Sequence, residues 1–156
     1  MSVALKRTRK GLTGNVSGMS KSRIPWCTHT WSPVEGCTKV SPGCDNCYGE
    51  RILRRWGRPT TPVIHEERFH APEYRKKRAV VFVCPMADLF SLEVPAADIE
   101  RIYRVMAACP QHAFLVLTKR TASMRAFFAA SDWYYREFTL GHLSHIAVGI
   151  SAVLSS

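Results

Sequence analysis

The chain alternates between short apolar runs and stretches in which apolar residues are spaced three and four apart. Continuous apolar runs at 79–84, 113–117 and 146–150 predict strands, and the β-branched residues of 79–84 are typical of a strand buried on both faces. A shorter run at 26–31 contains strand-forming residues and stops at Ser32-Pro33. The sequence therefore predicts four strands, and burial on both faces favours a parallel sheet.

Helical spacing separates these strands. Apolar residues recur at i, i+3, i+4 and i+7 from about 46 to 56, which predicts a helix with Asp45 as N-cap and Gly57 as stop. The same spacing predicts a second helix from Pro95 to about 109, and a third helix is predicted at 121–130. The order of elements is then β-α-β-α-β-α-β, which is typical of a right-handed, mostly parallel α/β architecture.

Composition agrees with one folded domain that follows a basic tail. The 156 residues are 46% hydrophobic, enough for one ordinary core, which we place in residues 24–156. Residues 1–23 contain six basic and no acidic residues among Gly, Ser and Thr, so we predict a flexible basic N-terminal tail. Residues 58–78, with three prolines and a basic cluster, are predicted to be an irregular connection.

Charge and hydropathy indicate where in the cell the protein is expected and what it could bind. No apolar run approaches the roughly 20 residues of a membrane span, and no apolar segment follows the basic N-terminus, so we expect a cytoplasmic protein without membrane association. The net charge of +10 is compatible with a nucleic-acid partner bound through the basic tail. The alternative is that the tail only aids solubility.

Three of the six cysteines are crowded into one loop. Cys37, Cys44 and Cys47 are spaced C-x6-C-x2-C, and Pro42 and Gly43 let the loop fold back on itself. Three thiolates would leave one iron of a [4Fe–4S] cluster without a protein ligand, and that iron could bind another molecule. This spacing predicts a metal site with an open position.

Zinc is the alternative occupant of this loop. Structural zinc takes four protein ligands, so Cys27, His29 or another side chain would have to complete the set. The scattered cysteines Cys27, Cys84 and Cys109 are expected to be small buried residues with reduced thiols, because disulfide frameworks belong to small secreted domains.

Several separated motifs, in this order, resemble one family. They comprise residues 30–44, 46–48, 50–51, 86–90, 94–95, 110–112, 117–120 and 148–151. Over about residues 24–151 the chain resembles the phage-associated three-cysteine-motif proteins, a phage protein family of unknown function related to radical S-adenosylmethionine (radical SAM) enzymes. The resemblance implies a partial (βα) barrel of radical-SAM-like type, with about four parallel strands and intervening helices. A complete barrel takes about 250 residues, so we expect a C-terminally truncated one.

The resemblance also implies cofactors. It implies a [4Fe–4S] cluster on Cys37, Cys44 and Cys47, and S-adenosylmethionine (SAM) bound to its open iron. Candidate cofactor-binding residues follow the predicted strands, at whose carboxyl ends ligands gather in such folds. They are Asp88, Lys119, Arg120 and Ser151. Asp88 would take the place of the Gly-Gly-Glu segment that many radical SAM enzymes use, and its alternative role is a helix cap.

Three functions remain open at this point. The first is a radical-SAM-like iron–sulfur protein that cleaves SAM to act on an unknown substrate. The second is a zinc-stabilised, non-catalytic module that binds nucleic acid or protein. The third is an inactive truncated remnant that still binds metal. The resemblance implies a three-cysteine-motif partner protein, and no residue is assigned a catalytic role.

Overall fold

The structure is a computed structural model, which describes residues 6–8, 18–131 and 145–150. In chain order the strands are β1 (Lys6–Thr8), β2 (Met19–Lys21), β3 (His29–Trp31), β4 (Val34–Glu35), β5 (Val63–His65), β6 (Val80–Val83), β7 (Ala113–Thr118) and β8 (Ile146–Ile150). The helices are α1 (Tyr48–Arg55), α2 (Ala71–Tyr74), α3 (Ala96–Ala107) and α4 (Thr121–Ala130). No helix among the described residues is long and apolar enough to cross a membrane.

The main sheet has five strands in the order β2-β3-β6-β7-β8. Four of these strands run parallel, and β2 pairs antiparallel with β3 at one edge. In register, Trp31 lies opposite Val83, and Val83 lies opposite Val116. A second sheet, in the order β1-β5-β4, has β5 parallel to β1 and antiparallel to β4.

The predicted partial (βα) barrel is wrong. Among the described residues, the main sheet is open and mixed, because an antiparallel strand lies beside its four parallel strands, and a second small sheet accompanies it. The antiparallel strand β2 occupies the edge of β3, so the parallel order does not continue there. The connection from β3 to β6 holds β4, α1, β5 and α2, and β4 and β5 form the small sheet together with β1. Helical spacing in the sequence could not reveal strands of two or three residues.

The core confirms the amphipathic second helix and the burial of β6, whereas β7 is buried only at alternate residues. Ile99, Ile102, Tyr103 and Met106, the predicted apolar face of α3, are all buried. In the main sheet Val81, Val83, Phe114 and Val116 are also buried and belong to the same hydrophobic cluster. The cluster therefore joins α3 to the two central strands, whose carboxyl ends it holds in place.

Local boundaries differ from the predictions where short strands and turns compete. The first predicted strand is confined to His29–Trp31, and the helix predicted from about 46 begins at Tyr48 with Cys47 as its N-cap, not Asp45. The segment 58–78 contains β5, α2 and a 3-10 turn at Glu66–Arg68. Strands β1 and β2 both lie within residues 1–23.

Candidate functional site

A cavity of about 370 Å³ opens at the carboxyl ends of β6 and β7. One wall is the loop of residues 37–47 together with the first turns of α1. The opposite wall comes from residues that follow the two strands, at 84–88 and 117–119. The carboxyl ends of parallel strands are where α/β sheets bind ligands, and this cavity lies there.

The three crowded cysteines all line this cavity. Cys44 is buried, whereas Cys37 and Cys47 are half-buried. The loop folds back through a 3-10 turn at Pro42–Cys44, in which the Cys44 amide donates to the Ser41 carbonyl at 2.8 Å. The Cys47 amide then donates to the Cys44 carbonyl at 3.2 Å, so the second and third thiols share one compact turn.

Gly36 fixes the entry to the cysteine loop. Its φ of +87° lies in the left-handed region, and a Cβ there would overlap the carbonyl oxygen of Thr61. Only glycine fits both conditions. The amide of Gly36 donates to the Met86 carbonyl at 3.0 Å, and that of Cys37 donates to the Thr60 carbonyl at 2.8 Å. The first thiol is thereby anchored beside the loop that follows β6.

The protein gives two of these thiols different proton affinities. Burial is the largest influence on Cys37 and raises the pKa of its thiol, although a hydrogen bond from Arg120 opposes that rise. Burial also acts on Cys44, but hydrogen bonds from Val40 and Ser41 and the charge of Lys119 outweigh it and lower the pKa of that thiol. Without a metal, Cys44 ionises more readily than Cys37.

Lys119 and Arg120 reach across the cavity to the cysteine loop. Lys119 Nζ lies 3.8 Å from Cys44 Sγ and donates to the Gly43 carbonyl at 3.2 Å. Arg120 donates to the carbonyl and the hydroxyl of Thr38 at 2.7 and 2.8 Å. Consecutive residues after β7 therefore hold the two ends of the loop, one near Cys37 and the other at Cys44.

Asp88 joins the segments that follow β6 and β7. Its carboxylate is buried and accepts hydrogen bonds from the Thr118 hydroxyl at 2.7 Å and from the Lys119 amide at 2.9 Å. The Phe90 amide also donates to Asp88, at 3.1 Å. These contacts set the position of Lys119, and the part of Asp88 in binding a cofactor stays a prediction.

Cys84 is a fourth cavity thiol that the sequence analysis treated only as a buried residue. It is the residue directly after β6, its φ is +53°, and its amide donates to the Trp31 carbonyl at 2.7 Å. Non-glycine residues with such φ values carry strain and cluster at functional sites. Burial raises the pKa of Cys84 to about 12, so this thiol stays protonated. The only feature of the sequence that could have placed Cys84 in the cavity is its position at the end of a predicted strand.

Other predicted ligands lie apart from the cavity. Cys27 and His29 are buried near the start of β3, and neither belongs to the cavity lining. Cys109, which was expected to be a buried residue and not a ligand, is buried just after the end of α3, and burial raises the pKa of its thiol to about 11. Ser151 lies outside the described residues. All six cysteines are free thiols, in agreement with the expected reduced state.

The cavity is lined by the type of ligand that a metal cluster needs, but the thiols are not arranged in a coordination geometry. Three thiols face one cavity, which is the donor set that an iron–sulfur cluster takes. Within the described part of the chain, no group of three Cys, His, Asp or Glu side chains is placed to hold a metal ion. The donors fit the cluster in type and location, and its binding would draw the thiols together.

The comparison with known families covers most of the chain. A family model described as "Protein of unknown function (DUF5131)" matches residues 21–154. The chain belongs to this family. No curated protein and no solved structure matches the chain significantly. The DUF5131 description names no activity, so the function of this member has to be argued from its cavity.

Proposed function

We propose that this DUF5131 protein is a radical-SAM-like iron–sulfur protein, in which Cys37, Cys44 and Cys47 bind a [4Fe–4S] cluster. The observation that carries the proposal is that three thiols from one loop line a single cavity at the carboxyl ends of β6 and β7. The resemblance to phage-associated three-cysteine-motif proteins supports it. Three thiolates suit a cluster that keeps one iron open for SAM.

The cavity residues have distinct roles in this proposal. When bound, the cluster supplies one electron for cleavage of the sulfonium C–S bond of SAM, which releases methionine and yields 5′-deoxyadenosine after hydrogen abstraction from the substrate. Lys119 and Arg120 hold the loop that carries the thiols. Asp88, Lys119, Arg120 and Ser151 remain the proposed contacts to SAM. A cavity of about 370 Å³ is within the size range of small-molecule sites.

Zinc is the second candidate because Cys84 adds a fourth thiol to the same cavity. A four-cysteine set would suit structural zinc and a non-catalytic binding module. Structural zinc would need all four thiols as ligands, so zinc binding would depend on Cys84 as well as on the three cysteines of the loop.

Anaerobic reconstitution with iron and sulfide separates the two candidates. The cluster predicts broad visible absorption and about four irons per chain. Tight, colourless zinc without iron uptake would instead support the binding module. Cys44→Ala should abolish iron retention, whereas Cys109→Ala, at a buried thiol outside the cavity, should leave it intact. Equal losses from both variants would contradict the ligand assignment.

Turnover is tested on the reconstituted protein. Dithionite supplies the electron, and 5′-deoxyadenosine and methionine are measured after addition of SAM. An intact cluster that yields neither product would reject SAM cleavage while leaving cluster binding in place.

The proposed setting is the cytoplasm. Six free thiols and an oxygen-sensitive cluster suit a reducing compartment. A three-cysteine-motif protein remains the proposed protein partner, on the resemblance alone.

A further inference from the structure

The outer face of α1 carries a polar stripe that begins at the cavity. Tyr48, Arg51 and Arg55 are spaced i, i+3 and i+7, so they lie on one side of the helix. Tyr48 lines the cavity, and 48% of its surface is exposed. Both arginines are exposed and have no ion-pair partner among the described residues, whereas Arg54 is bonded to Glu50 at 2.8 Å. Along α1, two positive charges without an acidic partner among the described residues therefore follow Tyr48 in the direction away from the cavity.

Exposed aromatic rings accompany these charges. The Tyr48 hydroxyl donates to the Pro85 carbonyl at 2.7 Å, which holds the ring in place at the cavity. Trp26, also 48% exposed, packs on Phe82 with ring centroids 4.8 Å apart, and Phe82 lines the cavity. At the far end of α1, Trp56 is 55% exposed beneath the guanidinium of Arg58. A single exposed aromatic residue is ordinary on a protein surface, but exposed rings together with exposed arginines supply what stacking bases and a phosphate backbone require.

We propose that this surface, made of Tyr48, Arg51, Arg55, Trp26 and Trp56, binds single-stranded nucleic acid. Unpaired strands are recognised by a basic track along the backbone combined with aromatic rings on which bases stack. The α1 surface offers both, and it ends at a cavity lined by Phe82 and Tyr48. That the nucleic acid is the substrate of the radical-SAM-like reaction rests on the proposed function. That the nucleic acid binds to this surface can be tested with the metal-free chain.

The observations favour a nucleic acid over an acidic protein. An acidic protein would use the arginines but would leave the held ring of Tyr48 and the Trp26–Phe82 pair without a role. A second basic cluster tests whether charge alone is enough. Lys76 and Lys77 are exposed in the segment before β6, at the opposite end of the strand from the cavity. They provide a charge-matched control.

The test is fluorescence anisotropy of a labelled, mixed-sequence single-stranded DNA 20-mer and of its RNA counterpart, with the full metal-free chain. Arg51→Gln/Arg55→Gln should weaken binding at least tenfold and reduce the slope of log K against log salt by about 1.4, for two lost phosphate contacts. Lys76→Gln/Lys77→Gln should change affinity less than twofold. Circular dichroism confirms that each variant is folded.

The aromatic contribution has its own control. Tyr48→Ala should weaken binding about tenfold without changing the salt slope, and Tyr48→Phe, which keeps the ring but loses its bond to Pro85, should weaken binding less than about threefold. Tyr74→Ala, at an exposed tyrosine on α2, should have no effect. Equal losses from the two double variants would overturn the proposal, because binding would then follow net charge. The proposal would also be overturned if the chain did not bind the 20-mers, or if it bound polyglutamate as tightly as it binds them.

The two proposals fail separately. Loss of nucleic-acid binding in the metal-free chain would leave iron uptake untouched. Failed cluster reconstitution with intact, Arg51- and Tyr48-dependent binding would reject the radical-SAM proposal and keep this one.

Discussion

Single residues set the geometry of the cysteine loop. Lys119 and Arg120, expected to contact a cofactor, reach across the cavity and contact the loop itself at Gly43, Cys44 and Thr38. Their position depends on Asp88, whose carboxylate accepts a hydrogen bond from the Lys119 amide. The loop is therefore shaped by residues some 75 to 82 positions away along the chain.

Gly36 offers a sharp test of that geometry, with Gly57 as a matched control. Both have positive φ, but only at Gly36 would a Cβ meet the backbone, whereas Gly57 has open space. Gly57→Ala should lower the free energy of unfolding by about 1 kcal/mol, from backbone strain alone. Gly36→Ala should lower it by about 3 kcal/mol or more, because overlap adds to strain. Urea unfolding measures both, and similar losses would show that the Thr61 contact is unimportant.

At the scale of elements, a buried charge network connects the small sheet to the cysteine loop. Glu35 of β4 is bonded to Arg68 at 2.8 Å and to Arg58 at 3.0 Å, and His65 of β5 lies 3.4 Å away. Burial alone would raise the pKa of Glu35, but hydrogen bonds from His65 and Arg68 and the two arginine charges lower it to about 2. Because Glu35 precedes Gly36, this network holds the base of the loop.

This network predicts acid sensitivity. The carboxyl of Glu35 ionises more readily in the folded chain, so its stabilisation is present above pH 4.5, its ordinary pKa, and is lost as the pH falls towards 2. The loss is at most roughly 3 kcal/mol, reduced by solvent screening at the partly exposed Arg58. Urea unfolding across this pH range should show the decline.

Glu35→Gln provides the control. It should be less stable than the natural chain at pH 7, since two arginines lose their anion, and its stability should depend less on pH in this range. An equally steep acid decline in both proteins would assign the effect to other carboxyls.

At the scale of the molecule, the core holds the cavity wall that follows β6 and β7. Helix α3 packs through Ile102, Tyr103 and Met106 into the cluster that contains the central strands β6 and β7. The segments that carry Cys84, Asp88 and Lys119 start at the ends of those strands. The stability of the core therefore determines how well the cavity is formed.

Removing a buried core side chain should destabilise the protein, because the substitution leaves a void in the packing. Ile102 is fully buried, so Ile102→Ala should cost about 3 to 4 kcal/mol of unfolding free energy. Leu92→Ala, at a side chain that is 81% exposed, should change it by less than about 0.5 kcal/mol. In hydrogen exchange, the amides of β6 and β7 should be among the slowest in the natural chain and should accelerate in Ile102→Ala. Unchanged exchange there would place the stable core elsewhere.

Local patterns were sufficient for the long elements and insufficient for the short ones. The runs at 80–83, 113–118 and 146–150 and the apolar face of α3 are strong periodic signals, and the structure has strands and a helix there. Strands β2, β4 and β5 have two or three residues, too few for a period to appear, and form because a neighbouring strand offers hydrogen bonds. Strand β2 makes the main sheet mixed, and β4 and β5 belong to a second sheet, so the barrel prediction fails.

The amino-acid sequence by itself determined which chemistry is available: three thiols within eleven residues, and polar side chains after each buried strand. It could do so because spacing along the chain limits which groups share a loop or a strand end. Tertiary structure alone decided that Cys84 joins those thiols and that Lys119 and Arg120 hold their loop. These contacts join residues far apart in sequence, and only the packing of β6 beside β7 brings them within reach.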